Sequence, residues 1–539
     1  MTGRQLGPKM DFSLAKSWLN ECAEKHESCS AAINTPLPSR ILDLAAPGET
    51  RHVRLKVDNA GVFERYATLS HCWGESQPLK LTQSTYEGFR KEISFESLPR
   101  TFQDAVTAAR SLGLKYLWID SLCIVQDSKE DWEEQCTAMR QIYKYSFVTL
   151  AAPEASDCNA GFLHSRPPPL KVDFQLSDGA SVVLSHHGCA DYPYDKQSNR
   201  EDYRLINKRD YRSLTEQNSP LFKRAWILQE RLLSSRVLYL SPSRIYLECF
   251  TNNRYEDCHY PTPGPDKLLS KNVTKWKSEQ LGDERQRFAH WEHLVVRYSN
   301  MNLTYGTDRL PALSGLVSEF HRVTKATYLA GHWLEDLNLG WFVVSQGQSK
   351  AALSGSEYVA PSWSWASSNG PIEFYRPWDF PKDMVFYHGL EINQAVCSTG
   401  IDPFGIVKSG YLDITGILKK GVSARRSPDR RYFQVITSCY TMERMGCSRG
   451  ESFGMYYPDN PSTVLEPESK LLLLFLGRFQ YTRFVLCDRV IAIAVEPIDG
   501  EEEYTYRRIG LVITRGFRVE QGFHEHFFAD IKPTILRLI

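Results

Sequence analysis

Residues 66 to 161 constrain the fold more than any other part of the chain. Short apolar runs alternate there with amphipathic ones, and a polar residue stands where each apolar run ends. Tyr66-Ala-Thr-Leu-Ser70 reads as a short strand running into Ser70-His71-Cys72-Trp73-Gly74. Leu98-Pro99-Arg100 then announces a helix. Thr101 with Asp104 fits a capping box, Phe102, Ala105, Val106, Ala109 and Leu112 recur at helical spacing, and Gly113 stands where a helix C-cap belongs. Tyr116 to Ile119 is a buried strand ending at Asp120. Trp132, Cys136, Met139 and Tyr143 share one face of the next helix, and Phe147 to Ala152 is a third strand. Strands alternating with helices predict an α/β fold of parallel βαβ units with right-handed crossovers.

The flanks read less regularly. Residues 11–30 form an amphipathic helix that Pro36 and Pro38 break, and 39–65 are extended. Residues 166–220 are an irregular insertion or connector. Phe222 to Leu233 reads as a helix, followed by strands at 236–240 and 245–249. Residues 251–285 are a polar linker, and helical patterns resume at 286–300 and 311–334. Beyond 358 the chain is β-rich, with the best strands at 411–417, 471–476, 490–495 and 510–514. The division expected is 1–61 (helix and lead-in), 62–250 (α/β domain), 251–357 (linker and helices) and 358–539 (β-rich domain).

Length agrees, since 539 residues exceed a single core. Lys+Arg and Asp+Glu both number 64, which argues against a generic polyanion binder, so no nucleic-acid partner is expected. The start, MTGRQLGPKMDF, has no signal-type apolar core, and the most apolar run, Leu471 to Leu476, is too short to span a bilayer. A cytoplasmic protein is expected. None of the 13 cysteines forms a Cys-x-x-Cys pair, which points to reduced, buried thiols. Cys22, His26 and Cys29 could supply three zinc ligands, or Cys22 could simply pack a helix face. Without an evident fourth ligand, no metal residue is assigned. Cys249, Cys258 and His259 fit no standard metal spacing.

In an open parallel sheet, ligands bind at the carboxyl ends of strands. Those ends carry Ser70, His71, Cys72 and Trp73, then Asp120, Ser121 and Cys123. Gln126, Asp127 and Asp131 follow, and Arg224, Trp226, Gln229 and Glu230 come from a later block. The set offers an acid or base in His71, carboxylates in Asp120, Asp127, Asp131 and Glu230, and aromatic walls in Trp73 and Trp226. Each has a structural alternative. The tryptophans can be core, and Asp120, Asp127 or Ser128 can cap turns. Glu230 can pair with Arg224 or Arg231, and Cys72 and Cys123 can be small buried residues. No P-loop, GxGxxG, HExxH or GxSxG is present.

The motifs YATLSHCWG, LPRTFQDAVTAARSLGLKYLWIDSLCIVQDSKEDW and MRQIYKYSFVTLAAPEASDCNAGF, with Arg224-Ala-Trp-Ile-Leu-Gln-Glu-Arg-Leu-Leu-Ser234, resemble in order the HET (heterokaryon incompatibility) domain of filamentous fungi. Leu313-Ser-Gly-Leu316, Ala360-Pro-Ser-Trp-Ser-Trp-Ala366 and Tyr506-Arg-Arg-Ile-Gly510 resemble downstream blocks of longer members. His71 departs from the tyrosine common in the family's SYCWG or SYVWG. The resemblance implies a role in nonself recognition and cell death, and a TIR- or flavodoxin-like parallel sheet. TIR relatives that cleave NAD with an acidic residue make NAD a candidate substrate. By position that residue would be Asp131, then Glu133 or Glu134, with Trp73 as the wall and His71 assisting. Partners would be other incompatibility proteins or a small molecule, with homo-oligomerisation open. Two alternatives stand beside this. One is a cyclase of a fungal biosynthetic cluster acting on a terpene or polyketide intermediate, motivated by 12 Trp and 27 Tyr that could wall an apolar pocket. The other is an interaction module without chemistry.

Overall fold

The computed structural model describes residues 9–32, 34–44, 52–74, 79–166, 170–175, 181–186, 219–242, 244–256, 284–337, 343–345, 358–368, 370–374, 384–426, 433–436, 452–459, 469–481, 487–498, 500–501, 504–514, 517–518 and 531–539. The chain forms two compact units, Met1–Trp276 and Lys277–Ile539.

The first unit opens with α1 (Phe12–Lys25). The Asp11 carboxylate accepts from the Leu14 N–H at 3.1 Å to cap it, and Trp18, Leu19 and Cys22 are buried. Then come β1 (Arg40–Asp43), β2 (His52–Val57), β3 (Tyr66–Ser70), α2 (Tyr86–Lys91), β4 (Ile93–Ser94), α3 (Arg100–Ser111) and β5 (Tyr116–Trp118). They are followed by α4 (Asp120–Cys123), α5 (Lys129–Tyr145) and β6 (Val148–Ala151). A pair of antiparallel strands, β7 (Leu170–Gln175) and β8 (Ser181–His186), lies in the inserted region. The unit closes with α6 (Ile227–Leu233), β9 (Arg236–Leu240), β10 (Ile245–Cys249) and β11 (Asn253–Tyr255).

Nine strands form one sheet in the order β11-β10-β9-β6-β3-β5-β1-β2-β4. Its centre, β5-β3-β6-β9, is parallel, as the strand–helix alternation predicts. Both flanks are antiparallel, so the sheet as a whole is mixed. The reason on one flank is local. Only residues 241–244 separate β9 from β10, enough for a hairpin and far short of the dozen residues a parallel crossover needs. β11 occupies residues expected to belong to a polar linker. β3, β6, β9 and β10 are buried along their whole length, as strands covered on both faces must be.

Two local expectations are corrected. Thr101 and Asp104 do not make a capping box, because Pro99 occupies the N-cap of α3 without a side-chain cap. Thr101 Oγ1 instead donates to the Asp157 carbonyl at 3.0 Å and accepts from the Gly161 N–H at 3.0 Å. The Asp104 carboxylate accepts from the N–H groups of Phe162 and Leu163 at 2.7 and 2.9 Å. Both side chains therefore clamp the loop after β6. The second correction concerns 222–233, which is not one helix. A turn at Leu221–Lys223 precedes an extended Arg224, and α6 begins only at Ile227.

In the second unit, α7 (Glu284–Ser299) and α8 (Pro311–Thr324) pack Trp291 and Phe320 against Trp333, with ring centroids 4.7 to 5.4 Å apart. The helix read over 311–334 ends at Thr324. Lys325 turns left-handed, and a short hairpin pairs 328–329 with 332–333. The β-rich part is an eleven-stranded sheet. Six of its strands, at 418–426, 433–436, 452–458, 469–481, 487–497 and 505–514, pair antiparallel in a closed ring. The Pro-Ser-Trp-Ser-Trp block is core: Trp363 and Trp365 are fully buried, and Trp365 Nε1 donates to the Gly331 carbonyl at 2.8 Å. Among the described residues, no helix is long and apolar enough to cross a membrane.

Candidate functional site at the carboxyl edge of the parallel strands

In order of appearance the four parallel strands stand 2-1-3-4 across the sheet, so the chain departs in opposite directions from β3 and β6. The carboxyl ends of that pair are where an open α/β sheet leaves a ligand crevice. Ser70 and the SHCWG turn lie there, with the Ala152 N–H bonded to the Ser70 carbonyl at 3.1 Å.

Three elements converge on Ser70. Its hydroxyl donates to Glu230 Oε2 from α6. Arg224, freed by the break before α6, donates through Nη1 to the His71 carbonyl. The Tyr143 hydroxyl on α5 reaches the Leu69 carbonyl at 3.3 Å and also hydrogen-bonds Glu230. On the outer side, Trp73 Nε1 donates to Asp120 Oδ2 at 2.8 Å, while Asp120 Oδ1 accepts the Ser121 N–H at 2.7 Å. Lys80 Nζ sits 5.5 Å from the Trp73 ring centroid.

Burial sorts these groups. Ser70, His71, Cys72, Gln229 and Glu230 are buried, whereas Trp73, Asp120, Gln126, Arg224 and Trp226 are half-buried. The first set is the floor of the site and the second its reachable rim. Burial pushes the Glu230 carboxyl up to about 7, with Asp120 adding to the rise while Arg224 and the hydrogen bonds from Ser70 and Tyr143 oppose it. Burial holds His71 down at about 4, so its imidazole is neutral near pH 7. His71 Nε2 has no hydrogen-bond partner among the described residues, and its ring meets Phe102 edge-on at 5.1 Å. Burial raises the Cys72 thiol to about 11 and that of Cys123 to about 12, so neither is a ready nucleophile.

The structure thus brings together Ser70, His71, Cys72, Trp73, Asp120, Arg224 and Glu230. Gln126 lines the same turn, its amide donating to the Asp120 and Ile124 carbonyls at 3.3 and 3.1 Å. Trp226 immediately precedes α6 and Gln229 lies within it. Asp131 is engaged elsewhere. It takes Arg40 Nη2 on both oxygens at 2.6 Å and the Val125 N–H at 2.7 Å, which ties α5 to β1. Glu133 is two residues further round α5 and half-buried. Asp127 accepts from the Gln83 N–H at 2.9 Å, and Ser128 caps α5. Tyr143 was read from the sequence only as a core position; a buried tyrosine's need for a hydroxyl partner was the signal that it could do more. The residues suited to a metal lie elsewhere in the unit, where ligand atoms of Cys22, His26, Cys29 and Cys249 all fall within 4.8 Å of one another.

Gly74 sets the path of the turn. Its φ is +74°, and a Cβ there would stand 2.2 Å from Asp157 Cβ. Asp157 cannot easily yield, since its Oδ1 accepts from the N–H groups of Asn159 and Ala160 at 2.6 and 3.0 Å. Gly74→Ala is expected to cost about 1–3 kcal/mol of stability. Urea unfolding of the variant beside the parent protein measures it, and an unchanged midpoint would contradict the packing described.

An α/β domain with a polar cluster at the switch point of its parallel strands is the class this geometry defines. Residues 66–230 match the family described as heterokaryon incompatibility protein (HET), and this stretch of the chain is a HET domain. The match runs from the first parallel strand to Glu230 itself. No curated protein and no solved structure matches the chain.

Proposed function

We propose that the chain is an incompatibility-type cell-death effector, and that its HET domain engages a dinucleotide of the NAD kind at the strand-end cluster. The observation that carries the reading is the Trp73–Asp120 pair, held at 2.8 Å on the half-buried rim beside Arg224. Arg224 is the cation for a diphosphate, and Trp73 is the wall for a flat ring. Asp120 is the carboxylate that opposes positive charge developing on the ribose as the glycosidic bond breaks and water attacks. Asp120 takes the role expected of Asp131, whose two oxygens already bind Arg40. Of the tryptophans in the C-terminal half that helped to motivate a cyclase, Trp291, Trp333, Trp363 and Trp365 are buried in the core of the second unit, and Trp341 and Trp378 lie outside the described residues.

Induced expression in a filamentous fungus or yeast is expected to arrest growth, and Trp73→Ala and Asp120→Asn to relieve the arrest. With purified protein, nicotinamide release from NAD should fall about 100-fold in Asp120→Asn. An inert, well-expressed protein overturns the effector reading. Growth arrest without nicotinamide release keeps the effector and removes NAD cleavage.

A further inference from the structure

We propose that the first unit carries a structural zinc site formed by Cys22, His26, Cys29 and Cys249. Cys22 lies in the last turn of α1, and His26 is the residue that caps that helix, its N–H bonded to the Cys22 carbonyl at 3.1 Å. Cys29 follows in a tight turn whose N–H returns to the His26 carbonyl at 2.9 Å. These three were visible in the sequence as an incomplete set. The fourth member comes from the end of β10, more than two hundred residues away. The ligand atoms of all four lie within 4.8 Å of one another. Cys249 Sγ and His26 Nδ1 are 3.5 Å apart. Two ligands at ordinary zinc–nitrogen and zinc–sulfur lengths, set at a tetrahedral angle, stand about 3.6 Å apart. The three cysteines are buried and free, and His26 is half-buried.

The surroundings fit a metal thiolate better than three neutral thiols. The N–H groups of Thr251 and Asn252 both point at Cys249 Sγ, at 3.4 Å each, which favours a sulfur anion. As a thiol, Cys249 donates to the Asn252 carbonyl at 3.2 Å, a bond that ligation would replace. The Asn252 amide approaches His26 Nε2 at 3.5 Å, leaving Nδ1 to face the sulfurs. Arg236 supplies the charge argument. It is fully buried, and its guanidinium contacts the carbonyls of Phe147, Cys29 and Ala32 and, at 3.8 Å, Cys22 Sγ. No carboxylate pairs with it among the described residues. A zinc ion with three thiolates and a neutral imidazole carries one net negative charge, which is the counter-charge Arg236 lacks. Four protein ligands leave no open position, so the metal is structural and staples α1 to the far edge of the sheet.

The full chain, purified without chelator and with any affinity tag removed, should contain about one zinc per molecule by mass-spectrometric metal analysis. Cys249→Ser and Cys29→Ser should lower that content at least about fivefold, while Cys397→Ser, in the second unit, should leave it unchanged. Protein produced in cobalt-supplemented medium should show thiolate-to-cobalt charge transfer and the strong d–d bands of tetrahedral coordination, a readout that needs no variant to fold. Zinc below about a tenth per chain with no cobalt spectrum, or a disulfide among the three cysteines in the protein as purified, overturns the proposal.

Discussion

Glu248→Ala is expected to lower the stability of the first unit by about 3–5 kcal/mol. The Glu248 carboxylate on β10 accepts from Arg231 Nε and Nη2 at 2.9 and 3.1 Å, and from the Tyr239 hydroxyl at 2.8 Å. Both charged side chains are almost wholly buried, at 4% and 2% exposure. Removing the carboxylate leaves a guanidinium in a low-dielectric interior without the anion that offset its desolvation, which is why breaking such a pair costs far more than the pair is worth. Replacing both partners by apolar residues, Arg231→Met with Glu248→Leu, should recover most of the loss. Urea unfolding monitored by tryptophan fluorescence measures all three proteins. A loss below about 1 kcal/mol in Glu248→Ala would mean that water reaches Arg231.

The second large effect is a pH dependence centred on Glu230. Its carboxyl is raised from the ordinary value of 4.5 to about 7, chiefly by burial. The folded state therefore holds this proton more tightly than the unfolded chain. The stabilisation is fully present below about pH 4.5 and is lost as pH rises to about 7, over which it amounts to about 3 kcal/mol. His71 works in the opposite sense. Its imidazole is held neutral with a value near 4, so it contributes stability above about pH 6.5 that is lost on acidification. The two slopes partly cancel in the parent protein, and a variant is needed to separate them. Glu230→Gln cannot ionise, so its stability relative to the parent should rise by about 3 kcal/mol between pH 4.5 and pH 7.5. Denaturant unfolding at four or five pH values would reveal it. A constant difference across that range would show that Glu230 titrates normally and is wet.

The strand–helix alternation was legible because it rests on local chemistry. Apolar periodicity set α3 and α5 within a residue or two, and β9 and β10 fell at the residues their apolar runs occupy. The antiparallel flanks were not foreseen, although the four residues between β9 and β10 require a hairpin. The Thr101–Asp104 pair shows the limit of a local rule. Its spacing suits a helix cap, but Pro99 already starts the helix, and the polar groups served the loop after β6 instead. The candidate site was legible as residue types at strand ends. Its roles were not. Asp131 and Asp120 look alike in sequence, and only Arg40, arriving from β1, distinguishes the engaged carboxylate from the one on the rim.

The sequence by itself determined the α/β character of the first unit, the β-rich character of the second, and the HET resemblance, since periodicity and contiguous motifs are properties of neighbouring residues. Tertiary structure alone decided which distant groups meet. It placed Glu230 on Ser70, 160 positions apart in the chain, in an interior whose burial lifts the carboxyl toward neutrality. It also brought Cys249 to Cys22, His26 and Cys29. Such meetings depend on strand order and on the path of the chain across the sheet. Neither leaves a periodic trace, because the free energy that enforces them comes from burying whole elements rather than from the spacing of the residues that finally touch.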